Sequence, residues 1–511
     1  MYSILLLADL GLMNTLFMSI IFLVIIWYLK WRRSRQHLYE AAKKVGLTDC
    51  QKELPILGHS LYYVGDAERI MRNLHYVSSK SSATPVGFWL AHRLFFCLNT
   101  PEQMEAVLSS PKCLEKDDLY RFSKPLGGNG LFSLDVKTWK VHRKLIMPSL
   151  NQRILDKFVD VFVERSNVLI NDVLSKKVGE LFDVEESITV TSLEIITQTA
   201  MGMKCADSES IRVLFERITR AFEILYMRMF NVHLHFDFIF NLTKLSNEQK
   251  YIVDFFKNFI RSVYYEKKEE FLQKKEKVEE AQIDECKQRK VFLDHLIEVS
   301  QLTDEEIINE VQTFMIGGSD TSATVVSFVL ICLGIFPEYQ QKVYDEIVDV
   351  VGLERNFECT DIPKLKYLEK FVKETMRLFP IGPFIIRKVT EDMEVDGHVL
   401  PKDSGLFLCI FTIHRNEKYY PNPMKFDPER FSPEEIAKRH PYAYLPFSAG
   451  PRNCIGMKFG MIEVKTIVAT VARRYFIETS FKSVEDVRLK QSFILKSCLS
   501  FPIKLTERVA S

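Results

Sequence analysis

Between Thr303 and Ile335 the chain carries one unbroken helical signal, and no other feature restricts the fold so strongly. Thr303-Asp-Glu-Glu306 is a capping box, apolar residues continue to Ile335, and Pro337 stops the run. At 1.5 Å per residue this is roughly 50 Å of helix, enough to cross a whole domain. Helical periodicity dominates from Asn151 to about Val351, and strand-like pieces cluster only near Pro85–Asn99 and Arg387–Leu408. The reading is a mostly α fold with small β-sheets. By length alone the 511 residues allow either several domains or one large α-rich one.

The middle of the long helix breaks a propensity rule. Gly317-Gly318-Ser319-Asp320-Thr321-Ser322 sets two glycines and four poor helix formers in a row, and the glycine pair alone costs about 2 kcal/mol relative to alanines. Small residues also serve close helix packing. The alternative is a turn loosened against a ligand, with Asp320 and Thr321 as proton-active groups.

The N-terminus reads differently from the rest. Leu10–Leu29 has Asn14 as its only strongly polar side chain and matches the roughly 20 helical residues that cross a bilayer. Trp27 and Tyr28 close it, and Lys30, Arg32, Arg33 and Arg35 follow, which places the remainder in the cytosol by the positive-inside rule. The basic residues come after the apolar run, the reverse of a cleaved signal peptide, so residues 1–35 read as an uncleaved, single-pass anchor. Residues 36–64, with Pro55-Ile-Leu-Gly58, read as a linker and hinge, and 65–511 as the catalytic domain. Tyr265–Lys290, dense in Lys and Glu, reads as a solvated helix and loop.

With 68 basic and 67 acidic residues there is no basic excess, which argues against nucleic acid as a partner. Ten cysteines are scattered without CxxC pairs, against zinc ribbons, iron–sulfur clusters and disulfide frameworks. Only Cys454 has a neighbourhood that asks for explanation. Phe447-x-x-Gly450-x-Arg452-x-Cys454-x-Gly456 fences it with glycines, which let backbone pass close to a large flat object.

That stretch resembles, at every fixed position, the haem-binding loop of the cytochrome P450 superfamily. Chance agreement of the five residues is on the order of one in ten thousand. The resemblance implies haem b with Cys454 as thiolate ligand to its iron and Arg452 toward a propionate. Glu374-Thr-Met-Arg377 and Phe426-Asp-Pro-Glu-Arg430 resemble the family's structural triad. Trp139-Lys-Val-His-Arg143, with Arg387 and His414, resembles the positions that family members use near the propionates. Gly317–Ser322 resembles the oxygen-activation motif, in which Asp320 and Thr321 relay protons. The matches run from Pro55 to Gly460 in family order, and look most like the animal branch that holds fatty-acid hydroxylases and many insect enzymes. Members that esterify their haem use a glutamate where this chain has Gly317, so a non-covalent haem is expected.

The resemblance implies a monooxygenase of the endoplasmic reticulum membrane. It would insert one atom of dioxygen into an apolar small molecule, a fatty acid, a steroid-like hormone or a xenobiotic. Electrons would come from an NADPH-dependent cytochrome reductase, with cytochrome b5 a further candidate. Two other readings stay open: a hydroperoxide isomerase or dehydratase of the same fold, and a non-catalytic haem sensor. Lys137, Lys140 and Lys144, joined by Lys458 and Lys465, suggest a basic stripe for the reductase.

Overall fold

Thr303 starts its helix by the reciprocal bonding that the capping box spells out. Its Oγ1 accepts from the Glu306 N–H at 3.3 Å, and the Glu306 carboxylate accepts from the Thr303 N–H at 2.8 Å. The computed structural model describes residues 2–50, 52–80, 84–203, 208–281, 291–299 and 301–508. α1 (Tyr2–Ser34) and α2 (Gln36–Val45) open the chain, and five helices frame the site: α3 (Val136–Ile146), α4 (Glu185–Ile196), α5 (Asp304–Ile335), α6 (Lys366–Leu378) and α7 (Met457–Arg474). α4, α6 and α7 all pack along α5. Both α5 and α1 are apolar enough to span a bilayer, yet 83% of the α5 window is buried and none of the α1 window is. α5 is the core helix of the domain; α1 stands outside it.

α5 stays α-helical through Gly317–Ser322, against the expected loosening. The hydroxyls of Ser319, Thr321 and Thr324 turn back onto carbonyls one turn earlier, at 2.8, 2.7 and 2.7 Å, which satisfies them without breaking the ladder. Nor is α5 the longest helix among the described residues. Lys244–Ala281 has 38 residues against 32, because its Lys- and Glu-rich half contains no glycine or proline and gains pairs such as Lys267–Glu270 at 2.8 Å. Of the Tyr265–Lys290 segment, 282–290 lie outside the described residues.

The two strand-like regions, far apart in sequence, form one sheet. β1 (Val86–Leu90), β2 (Arg93–Leu98), β3 (Ile385–Lys388) and β4 (Gly405–Leu408) lie in the order β1-β2-β4-β3, with β2 and β4 parallel and in register from Phe95↔Gly405 to Leu98↔Leu408. A hairpin near the C-terminus pairs β5 (Leu489–Gln491) with β6 (Leu495–Ser497). Residues 36–64, read as a linker, pack on this sheet. α2 buries Leu38 and Ala42, Tyr39 stacks on Trp89 at 4.5 Å, and the His59 N–H donates to Trp89 O at 2.8 Å. Arg35 alone separates α1 from α2, and its guanidinium donates to His92 O.

On α6 the i, i+3 spacing puts Glu374 and Arg377 side by side, both fully buried, with bonds of 2.7 and 2.8 Å. Burial pushes the Glu374 pKa up, and the Arg377 N–H groups act against it. Arg430 stands 3.6 Å from the same carboxylate. Arg377 also donates to His414 O at 2.9 Å, and the His414 ring accepts from the Leu445 N–H at 2.8 Å. The pair therefore ties α6 to the chain that leads into the Cys454 loop. Arg377→Met removes the main partner of a buried carboxylate and leaves it only Arg430 and the Asp427 N–H, and breaking a buried pair costs about 3–5 kcal/mol. Urea unfolding is expected to show a midpoint lowered to match; an unchanged midpoint would mean that the pair adds nothing to folding.

Candidate functional site

The Cys454 loop is shaped by one close approach. At Gly450 φ is +72°, and a Cβ there would lie 2.1 Å from Leu108 O, so both the conformation and the contact demand glycine. The Cys454 N–H donates to Phe447 O at 2.9 Å, and the Asn453 N–H to Gly450 O at 3.1 Å. Gly456 caps α7 and turns its N–H toward the Cys454 sulfur. Burial pushes the Cys454 thiol up in pKa, while the Gly456 N–H, Arg143 and Lys116 oppose it. Yet the side chain is exposed. Deep and exposed at once, the sulfur faces an internal space.

Four cations surround that space. Arg143 on α3 donates to Asn453 O at 2.9 Å and to Asn453 Oδ1 at 2.6 Å, holding the loop from behind. Arg452 donates to Leu134 O at 2.8 Å and lies 4.5 Å from the Trp139 ring, while its Nε and Nη1 are buried with no hydrogen bond. Burial brings its pKa down to about 10. Arg387 on β3 is buried with only a 3.4 Å contact to Ile386 O, and Lys116 lies over the Phe132 ring at 3.2 Å. Burial lowers both, and Arg387 and Arg452 lower Lys116 further. Among the described residues none of the four forms an ion pair with a carboxylate. Buried positive charge is costly unless paired, so this cradle calls for an anion.

α5 supplies the other side. Gly317 is exposed in the middle of a buried helix, with nothing within 4 Å of a built Cβ, and Thr321 one turn on is partly exposed. Ser322 Oγ is 3.6 Å from a Cβ built on Gly460, so the crossing of α7 over α5 brings this turn and the Cys454 loop to one place. Asp320 turns elsewhere: it is buried and bonds Lys496 on β6 at 2.6 Å.

The Cytochrome P450 family model matches residues 49–500. The chain is a cytochrome P450. Relatives include Cytochrome P450 4V2 of Mus musculus, 34% identical over 97% of this chain and 94% of its own length. Cytochrome P450 4c3 of Drosophila melanogaster is 32% identical over 95% and 93%, and Cytochrome P450 4c21 of Blattella germanica 35% over 80% and 83%. Mammalian and insect relatives together match the expected animal branch.

The P450 cofactor is haem b, and the cradle fits it: an exposed thiol for iron, and unpaired buried cations, with free Arg452 donor atoms, for two propionates. Lys116 was not singled out from the sequence, where it stands among Glu115, Asp117 and Asp118. Lys496 was missed too; a lone lysine after Phe493-Ile-Leu was its only signal. His414 is held between α6 and Leu445 rather than against the cations. Phe122 and Phe384 are buried, and Phe314 stacks on Phe292 at 3.8 Å. Cys454→Ser is expected to abolish the red-shifted Soret band that a thiolate-ligated ferrous haem gives with carbon monoxide, since serine is a poor soft ligand. Persistence of the band would assign the iron to another cysteine.

Proposed function

We propose that this P450 hydroxylates an apolar substrate, with fatty acids as the first class to screen, at the open side of α5 facing the Cys454 loop. One observation carries the reading: beyond its first turn Gly317 is the one exposed residue of α5, and Thr321, half-buried, follows one turn on along the same side, next to a deep but exposed cysteine. Haem bound through the Cys454 thiolate supplies the electron-rich centre that reduces dioxygen. The protein's own part is to hold and to protonate. Arg452, Arg387 and Lys116 hold the propionates, with Trp139 stacked beneath Arg452, and Arg143 fastens the ligand loop. Gly317 leaves room for the substrate. Thr321 keeps a hydroxyl at the open side, parked on Gly317 O at 2.7 Å and ready to pass a proton.

α1 anchors the enzyme in the endoplasmic reticulum membrane, and the Lys30–Arg35 flank keeps the domain on the cytosolic side. A reductase docks on the face behind the ligand loop. Lys140, Lys144 and Lys458 are exposed there, with Val141 and Met457 as exposed apolar neighbours. Lys465 drops out of the stripe, because it is buried and paired with Glu369 at 3.3 Å.

Thr321→Ala is expected to uncouple the enzyme. NADPH consumption continues, peroxide appears, and product per NADPH falls within the roughly 10²–10⁴-fold range that a positioned proton donor contributes. Unchanged coupling would remove Thr321 from the relay. Lys140→Glu with Lys144→Glu is expected to slow reductase-supported turnover most at low ionic strength, as steering charges do, and to spare peroxide-driven turnover. Equal losses in both assays would defeat the docking face.

A further inference from the structure

A cleft of about 570 Å³ opens beside Asn309, in the first half of α5. Four cations line it against one carboxylate: Arg121, Lys124, Arg228 and Lys257 against Asp237. They come from the segment 118–127 and from the helices Ser208–Phe230 and Lys244–Ala281, places far apart in sequence. Arg121 and Arg228 each lie 4.7 Å from the Phe122 ring, and Arg121 uses one donor on His235 O at 3.0 Å. Asp237 pairs with Arg228, and its side chain is 77% exposed against 8% for the arginine, so this pair is closed from the solvent side. Among the described residues Arg121, Lys124 and Lys257 form no ion pair. A cleft lined by one sign of charge draws in the other, and a guanidinium matches the geometry of a carboxylate.

Asn309 also begins a line along α5. Asn309, Thr313, Gly317 and Thr321 recur every four residues and so share one ridge of the helix. Gly317 is exposed and the other three are half-buried, whereas Ile308, Glu310, Gln312, Ile316, Asp320 and Ser322 beside them are buried. The hydroxyls of Thr313 and Thr321 are already engaged, on Gly127 O and Gly317 O, each at 2.7 Å, so the ridge makes no polar demand on what lies along it. From Asn309 to Gly317 it runs about 12 Å at 1.5 Å per residue, a span that an extended alkyl chain of ordinary fatty-acid length covers. From Ser322 to Leu333 every residue is buried, and the ridge ends there.

We propose that this cleft holds the carboxylate of a fatty acid whose chain lies along the ridge, so that the enzyme selects the carbon it oxidises by its distance from the carboxyl end. This rests on the oxygenase reading above. Arg121, Lys124 and Lys257 meet the carboxylate, and Arg228, kept on Asp237, adds its field from the cleft wall. The carbon that arrives at Gly317 is then set by a fixed length of α5 and not by the total length of the acid. A longer acid adds its extra methylenes beyond the open turn, where the ridge closes; a shorter one fails to reach the turn.

The test uses the full-length, haem-loaded enzyme with reductase and NADPH. Its substrates are saturated unbranched acids of increasing length, with the alcohols of equal length as probes that lack the charge. The new hydroxyl is expected at one fixed number of carbons from the carboxyl in every acid that reacts, and acids too short for the span give no product. In Arg121→Gln, and again in Lys257→Gln, the preference in kcat/KM for an acid over its alcohol falls about tenfold, the low end of what a hydrogen bond to a charged group contributes. The position of the hydroxyl spreads in both variants, and Arg121→Lys keeps the preference and the position. The carbon monoxide spectrum reports haem loading in each. Hydroxyls fixed from the methyl end, or an acid preference unchanged in both Gln variants, would overturn the proposal. So would inorganic phosphate that slows acids and alcohols alike, which would give the cleft to a separate anion. A wild-type enzyme that oxidises neither acids nor alcohols would instead bring down the oxygenase reading, and this selection with it.

Discussion

Positive charge gathered away from water, without carboxylates to meet it, is the condition on which the rest of this structure depends. Arg143, Arg452, Arg387 and Lys116 come from α3, the ligand loop, β3 and the segment before Leu119, four places far apart in sequence. Arg387 and Arg452 are buried and Arg143 and Lys116 half-buried, and positive charge so placed is costly without an anion. An anionic cofactor at their centre turns that cost into cohesion, since whatever binds only the folded state stabilises it by mass action. Cofactor binding and folding are then one problem in this protein. The loop that carries Cys454 is held to α3 by Arg143 and, through Leu445 and His414, to α6.

The Glu374–Arg377 pair shows the opposite arrangement, a buried charge with every partner supplied by the chain. Arg377 bonds the carboxylate twice and His414 O once, and the Asp427 N–H adds a further bond to Glu374 at 2.9 Å. One site is finished by the protein and the other waits for a cofactor. That contrast separates scaffold from function more cleanly than burial does, because Glu374 and Arg387 are both buried.

Much of this was legible in the sequence wherever the signal is local. The Thr303 capping box set the start of α5 to the residue, and the spacing of Phe447, Gly450, Arg452, Cys454 and Gly456 marked the loop. What escaped depends on partners distant in the chain. Lys116 looks solvated until β3 brings Arg387 beside it. Lys496 looks like a stray lysine until the hairpin lays it on Asp320, and Lys465 looks exposed until Glu369 covers it. Residues 36–64 look like a tether because their stacking partner, Trp89, lies fifty positions on from Tyr39. Helix continuity through Gly317–Ser322 was misjudged for another reason: propensity penalises hydroxyl residues, and it does not count the i−4 carbonyls that these hydroxyls bond.

α5 also sets which sequence changes this enzyme can absorb. Gly317 and Thr321 share one side of the helix, Asp320 looks to β6, and Ser319 and Gly318 lie against α4. Substitutions on these sides can vary separately, since each side meets a different neighbour. A change in length cannot. One inserted residue rotates everything beyond it by about 100°, so it would hand the position of Thr321 to its neighbour, strip Lys496 of its carboxylate and drive a side chain into Ile196 in a single step. The turn is therefore open to drift in composition and closed to insertion or deletion.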